Sequence, residues 1–116
     1  MPNISVKMDV ANAISKLKKY DLIKIEQTKK ALKEAAINTE RKAKKFVPVD
    51  TGRLRSSIRI LHARFDQLGF EVGTDVEYAA SVEFGIKQKP SPYLHPAFEL
   101  AKHELIPKLS SIFKRP

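Results

Sequence analysis

Asp50-Thr51-Gly52, set between Val47-Pro48-Val49 and Arg53-Leu54, is the segment with the most chemical potential in the chain. Asp-Thr-Gly after apolar residues is the local pattern of a catalytic aspartate from an aspartic-protease half-site. Two such carboxylates, one hydrogen bond apart, share a proton and activate water. One Asp per chain could reach that arrangement by dimerisation. Arg53 opposes this reading, because a guanidinium beside the dyad would hold both carboxylates ionised. A long predicted helix also runs straight into the motif, whereas enzymes of that class are nearly all β. The competing reading is a structural turn, in which Pro48 stops a helix, Asp50 hydrogen-bonds nearby backbone and Gly52 shapes the bend.

Other constellations carry less chemistry. His95, Glu99 and His103 stand at i, i+4 and i+8 and could line one helix face as metal ligands. Pro96, read as the first helical residue, would put His95 outside the helix and break that row. No His-Glu-x-x-His motif is present, and the four glycines at 52, 69, 73 and 85 are too scattered for a phosphate-binding loop. With no cysteine there is neither a disulfide nor a thiolate zinc site. The residues therefore call for no catalytic centre, cofactor or metal. Arg53, Arg55 and Arg59 alternate, so on an extended chain they would share one sheet face. With Lys44 and Lys45 they form a candidate patch for DNA or for a partner protein. Such a patch would contact phosphates without reading sequence.

The charge balance fits that patch. Across 116 residues, 22 Lys and Arg face 13 Asp and Glu, a formal net charge of +9. Residues 1–46 hold 12 basic and 5 acidic side chains, a net of +7, and the rest of the chain adds +2. Basic proteins of this kind are biased toward polyanions, and the plainer alternative is a solvated helix face. The length suits one domain over residues 1–116. No apolar run is long enough for a membrane span, and the N-terminus lacks the apolar core of a secretory signal. A cytosolic or virion-internal setting follows as the expectation.

The elements that would position these residues can be read from periodicity. Ile4, Val6, Met8 and Val10 alternate with polar residues and predict a strand. A short helix is predicted over 11–20, and Asp21 can cap a second helix that runs to about Phe46. Positions 22, 25, 29, 32, 36, 39, 43 and 46 follow 3,4 spacing, and six of the eight are apolar. Residues 56–65 predict a strand, Asp66-Gln67-Leu68-Gly69 a turn with Gly69 left-handed, and Phe70 to Val76 a second strand, giving a hairpin. Tyr78–Phe84 predicts a short helix ended by Gly85. Residues 86–93 have loop chemistry, and a last helix is predicted from Pro96 to Phe113, kinked at Pro107. The fold class is α+β, a small antiparallel sheet of the N-terminal strand plus the hairpin, packed against a long amphipathic helix and a C-terminal helix. Tyr78, Phe84, Tyr93 and Phe98 are candidate core aromatics.

Three blocks then carry a resemblance. They are Lys44-Lys45-Phe46-Val47-Pro48-Val49-Asp50-Thr51-Gly52-Arg53-Leu54-Arg55-Ser56-Ser57-Ile58, Val72-Gly73-Thr74-Asp75-Val76-Glu77-Tyr78-Ala79-Ala80-Ser81-Val82-Glu83-Phe84-Gly85, and Pro92-Tyr93-Leu94-His95-Pro96-Ala97-Phe98-Glu99. In order and spacing they resemble the small neck and tail-completion proteins of long-tailed bacteriophages and prophages, which act as head–tail joining, tail terminator or minor tail components. His95 departs from the pattern, where the family more often carries Arg. The resemblance implies a non-enzymatic virion protein that works as a ring, commonly a hexamer, between the connector or head-completion protein and the tail-tube protein. It would reside at the head–tail junction or tail, after assembly in host cytoplasm, and DNA would pass through it. The loop with Lys87, Lys89, Pro90, Pro92 and Tyr93 is the candidate contact to a neighbouring subunit or the tail tube. A stand-alone basic nucleic-acid-binding protein is the second expectation. Neither involves a membrane.

Overall fold

The computed structural model describes residues 4–10, 22–48, 52–62, 68–86 and 89–114. The predicted helix over 11–20, the Asp21 cap, Asp50 and Thr51 of the turn, residues 63–67 and Lys87 lie outside the described residues.

Strand β1 (Ile4–Asp9) is followed by helix α1 (Leu22–Phe46), helix α2 (Gly52–Ser57), strands β2 (Arg59–His62) and β3 (Gly69–Thr74), helix α3 (Ala79–Phe84) and helix α4 (Leu94–Phe113). The sheet is antiparallel in the order β1-β3-β2, so β3 is central. This is the α+β architecture expected, with more helix than strand. In β1 the alternation holds: Val6 is buried and Lys7 and Asp9 are exposed. Every residue of β3 is buried. Its Phe70, Val72 and Thr74 enter the core, while Gly73 faces β1, where a Cβ would collide with the Ile4 carbonyl and Ser5. That close approach, rather than a turn, is what requires glycine there.

Helix α1 lies across β3 and β2 and packs along its length against α4. Its buried face is Thr28, Ala31, Leu32, Ala35, Ala36, Thr39 and Ala43. The seam keeps Leu32, Ala36, Thr39 and Ala43 of the predicted row and adds Thr28, Ala31 and Ala35, while Lys29 is only half buried. The two threonines tolerate burial because their hydroxyls donate to carbonyls one turn back, Lys24 O and Ala35 O, each at 2.8 Å. Small side chains on this face let α4 approach closely. Lys108 Nζ to Glu34 Oε2 at 2.9 Å and Lys42 Nζ to Glu104 Oε1 at 3.4 Å tie the two helices in antiparallel register. Leu94, Ala97, Ala101 and Leu105 of α4 complete the core with Leu54, Ile58, Phe70 and Val72.

Several expectations need correction. Residues 52–57 form helix α2, so the strand is shorter than predicted and begins at Arg59. Gly52 opens this helix with open space around it, and its backbone is not left-handed. Among the described residues of the hairpin turn, Leu68 is left-handed, at φ 60°, and Gly69 is not: it lies in β3, where its Cβ would meet the Met8 carbonyl at 2.6 Å. The pairing of β2 with β3 steps from Ile60–Val72 to His62–Glu71, one extra residue on β2, a bulge. Helix α4 begins at Leu94, ahead of Pro96, and continues past Pro107 to Phe113. Gly85 does end α3 in the left-handed region, at φ 70° and ψ 43°, with its N–H donating to Ser81 O.

Candidate assembly interface

The third and second sequence blocks meet at one buried carboxylate. Helix α3 is short and apolar on its inner side, so its Glu83 is carried inward with Ala79 and Val82. Glu83 Oε1 accepts hydrogen bonds from the backbone N–H of Tyr93 at 3.1 Å and of Leu94 at 2.9 Å. Its Oε2 accepts from His95 N–H at 3.1 Å and lies 3.0 Å from His95 Nδ1. A helix leaves four N–H groups without intrahelical partners at its start. In α4 three of these bind Glu83, and the fourth position is Pro96, which has no N–H. The negative charge also complements the positive end of the helix dipole. Tyr93, fully buried, donates its Oη–H to Ala79 O at 3.0 Å. Burial, then the nearby Glu83 charge, pushes its phenol well above the ordinary tyrosine range.

The first block joins the same unit. Arg53 Nη1 and Nη2 donate to both oxygens of Glu77, at 2.9 and 3.1 Å. The pair raises the guanidinium pKa and lowers that of the carboxyl, through hydrogen bonding first and charge second. Leu54 and Ile58 are fully buried. The Ser57 hydroxyl touches Thr74 Oγ1, which also accepts from Val76 N–H at 3.1 Å. Three stretches far apart in sequence are therefore fastened to one another through side chains that sequence reasoning had placed on a surface patch or left without a role.

That fastening changes the standing of the basic residues. Arg53 and Arg55 lie on α2 and only Arg59 on a strand, so the three do not share a sheet face. Arg59 sits 3.6 Å from Asp75, and Lys44 sits 3.8 Å from Glu40, whose other oxygen accepts from Ile60 N–H. Arg55 is half buried, with its Nε enclosed and without a hydrogen-bond partner among the described residues. Lys45 remains exposed. In the loop, Lys89, Pro90 and Pro92 are exposed, but Tyr93 is buried and its ring faces the core. Phe84 reverses the other way: it is 57% exposed and meets the His95 ring in a tilted contact at 5.6 Å, and Ile86 is 67% exposed. Phe98 packs on the core edge-on to Phe70, and Tyr78 is half buried. Phe84, Ile86, Lys89, Pro90 and Pro92 are each exposed, and Glu83 ties the helix that carries Phe84 to the start of α4 just after Pro92. His95 lies within α4, but it is oriented by Glu83. No group of residues able to hold a metal occurs among the described residues, and none of their helices is long and apolar enough to cross a membrane.

The family described as "Bacteriophage HK97-gp10, putative tail-component" matches residues 9–85. The chain belongs to this HK97-gp10-like family. No curated protein and no solved structure gives a significant match. The match ends at Gly85, so it covers the first two blocks and Glu83 itself. The third block lies outside it and is joined to the HK97-gp10-like region by the Glu83 carboxylate. Sequence reading missed Glu83 as an anchor, and the available signal was an acid inside the otherwise apolar Ala79-Ala80-Ser81-Val82-Glu83-Phe84. As a phage tail component, the chain is a virion structural protein that works among other phage structural proteins.

Proposed function

We propose that this protein, as one domain over residues 1–116, is a non-enzymatic component of the head–tail junction or tail end. In this reading it assembles as a ring, hexameric as in the family reading, between the connector or head-completion protein and the tail-tube protein, and lets DNA pass. Family membership gives the tail setting. The observation that carries the assembly role is the exposed Phe84–Ile86 face with Lys89, Pro90 and Pro92, anchored on a satisfied buried carboxylate. Exposed aromatic and aliphatic side chains on a rigid support, rimmed by charge, are what a subunit or tail-tube contact requires. Head-to-tail contacts through such a face close into rings when the rotation permits. The second reading, a stand-alone nucleic-acid-binding protein, draws on charge alone.

Electron microscopy of lysates from a phage lacking this gene tests the proposal. Filled heads and unjoined or unfinished tails are expected, with intact virions restored when the protein is supplied in trans. Normal virion yield without the protein would overturn it.

A further inference from the structure

We propose that the solvent face of α1 is a phosphate-binding ridge, formed by Lys30, Lys33, Arg41 and Lys45, that takes double-helical DNA without reading its sequence. This face lies opposite the buried seam, and all four side chains are exposed. They fall within about 60° on either side of one helical line and span roughly 22 Å, at about 1.5 Å per residue. Most other cations of the described residues are engaged: Arg53 with Glu77, Arg59 with Asp75, Lys44 with Glu40, Lys29 with Glu26, Lys42 with Glu104 and Lys108 with Glu34. The acids on α1 are thereby occupied by other lysines. Glu34 feels the charge of Lys30, but its hydrogen bond goes to Lys108. Among the described residues none of the four ridge cations is in an ion pair, although Glu34 lies on the same side of the helix as Lys30, and together they make a line of positive charge.

An acidic protein surface is the other occupant that charge would permit. A specific protein contact needs an apolar centre; between Lys30 and Lys45 this face offers only Ile37, 39% exposed, and Ile23, 71% exposed, lies on the same side about two turns before Lys30. A line of cations without an apolar anchor suits a polyelectrolyte, whose affinity comes from counterion release. Of the patch expected from sequence, Arg53, Arg55, Arg59, Lys44 and Lys45, only Lys45 belongs to this ridge. The ridge deepens the proposed function by giving transiting DNA a contact. It rests on that reading only for DNA being at hand, because the assay below needs no assembly.

Binding of the full-length protein to a short duplex of arbitrary sequence, measured by fluorescence anisotropy across a salt series, tests it. Wild type should lose affinity with salt at a log–log slope near −3.5, about 0.9 per phosphate contact. The combined Lys30→Gln, Lys33→Gln, Arg41→Gln, Lys45→Gln variant keeps good helix formers at exposed positions and should flatten that slope toward zero. Arg53→Gln with Arg59→Gln, which lie on other elements, should leave it unchanged. DNA should also protect Lys30, Lys33 and Lys45 of wild type from acetylation, which needs no variant. No duplex binding at low salt, a wild-type slope in the fourfold variant, flattening by the second set instead, or binding to an acidic polypeptide but not to DNA would each overturn the ridge. None of these outcomes bears on whether virions assemble without the protein.

Discussion

Replacing Glu83 by Ala would leave three N–H groups at the start of α4, two of them buried, without their acceptor. We expect Glu83→Ala to cost about 2–4 kcal/mol in urea denaturation, and Glu83→Gln, which keeps the shape but loses the charge, less than half of that. Equal costs for the two would mean that packing alone holds the joint. Tyr93→Phe should cost about 1 kcal/mol by removing the hydrogen bond to the Ala79 carbonyl. Arg53 and Glu77 are exposed, so their pairing is felt through pH rather than as a large stability term. The folded Glu77 carboxyl sits below its ordinary value, so the unfolded chain binds its proton first as pH falls. Its contribution is complete above about pH 4.3 and is lost as pH drops toward the folded value. Glu77→Gln should therefore show a shallower loss of Tm below pH 4.3 than wild type, and high salt should narrow the difference.

Among the elements, Gly73 sets how near β1 can lie to β3. Gly73→Ala would push a methyl group into β1 backbone, and the strand cannot yield as a side chain would. A destabilisation of about 1–3 kcal/mol with early hydrogen exchange along β1 is expected. Uniform exchange across the sheet would instead place the strain elsewhere. The sequence made β1, α1 and the Gly85 stop legible because each follows from local rules: period two, 3,4 spacing and a left-handed cap. Helix α2 was not legible. Gly-Arg-Leu-Arg-Ser-Ser has only Leu54 to bury, and six residues cannot distinguish one inward side chain per turn from an alternating strand. The predicted α1 row included Leu32, Ala36, Thr39 and Ala43 but passed over Thr28, which counts as polar in sequence yet satisfies its hydroxyl on its own helix. Tyr93 and Phe84 exchanged places for a tertiary reason: Glu83 draws Tyr93 inward by its backbone and leaves Phe84 outside. No local pattern encodes a carboxylate that reaches ten to twelve residues ahead.

For the whole molecule, the three sequence blocks act as one joint. Block one supplies Arg53, Leu54 and Ser57, block two supplies Thr74, Glu77 and Glu83, and block three supplies the helix start that Glu83 caps. Gly52 opens α2, which carries Arg53 of the ion pair. The joint holds out the Phe84–Ile86 face, on which the assembly role depends. Both side chains are exposed, so Phe84→Asp with Ile86→Asp should leave the thermal melt and the helical circular dichroism near wild type. The most direct measurement is complementation of a phage lacking the gene by this double variant, scored as joined virions by electron microscopy and plaque count. Our account predicts a folded protein that yields separate heads and tails, whereas joined, infectious particles at wild-type yield would contradict it.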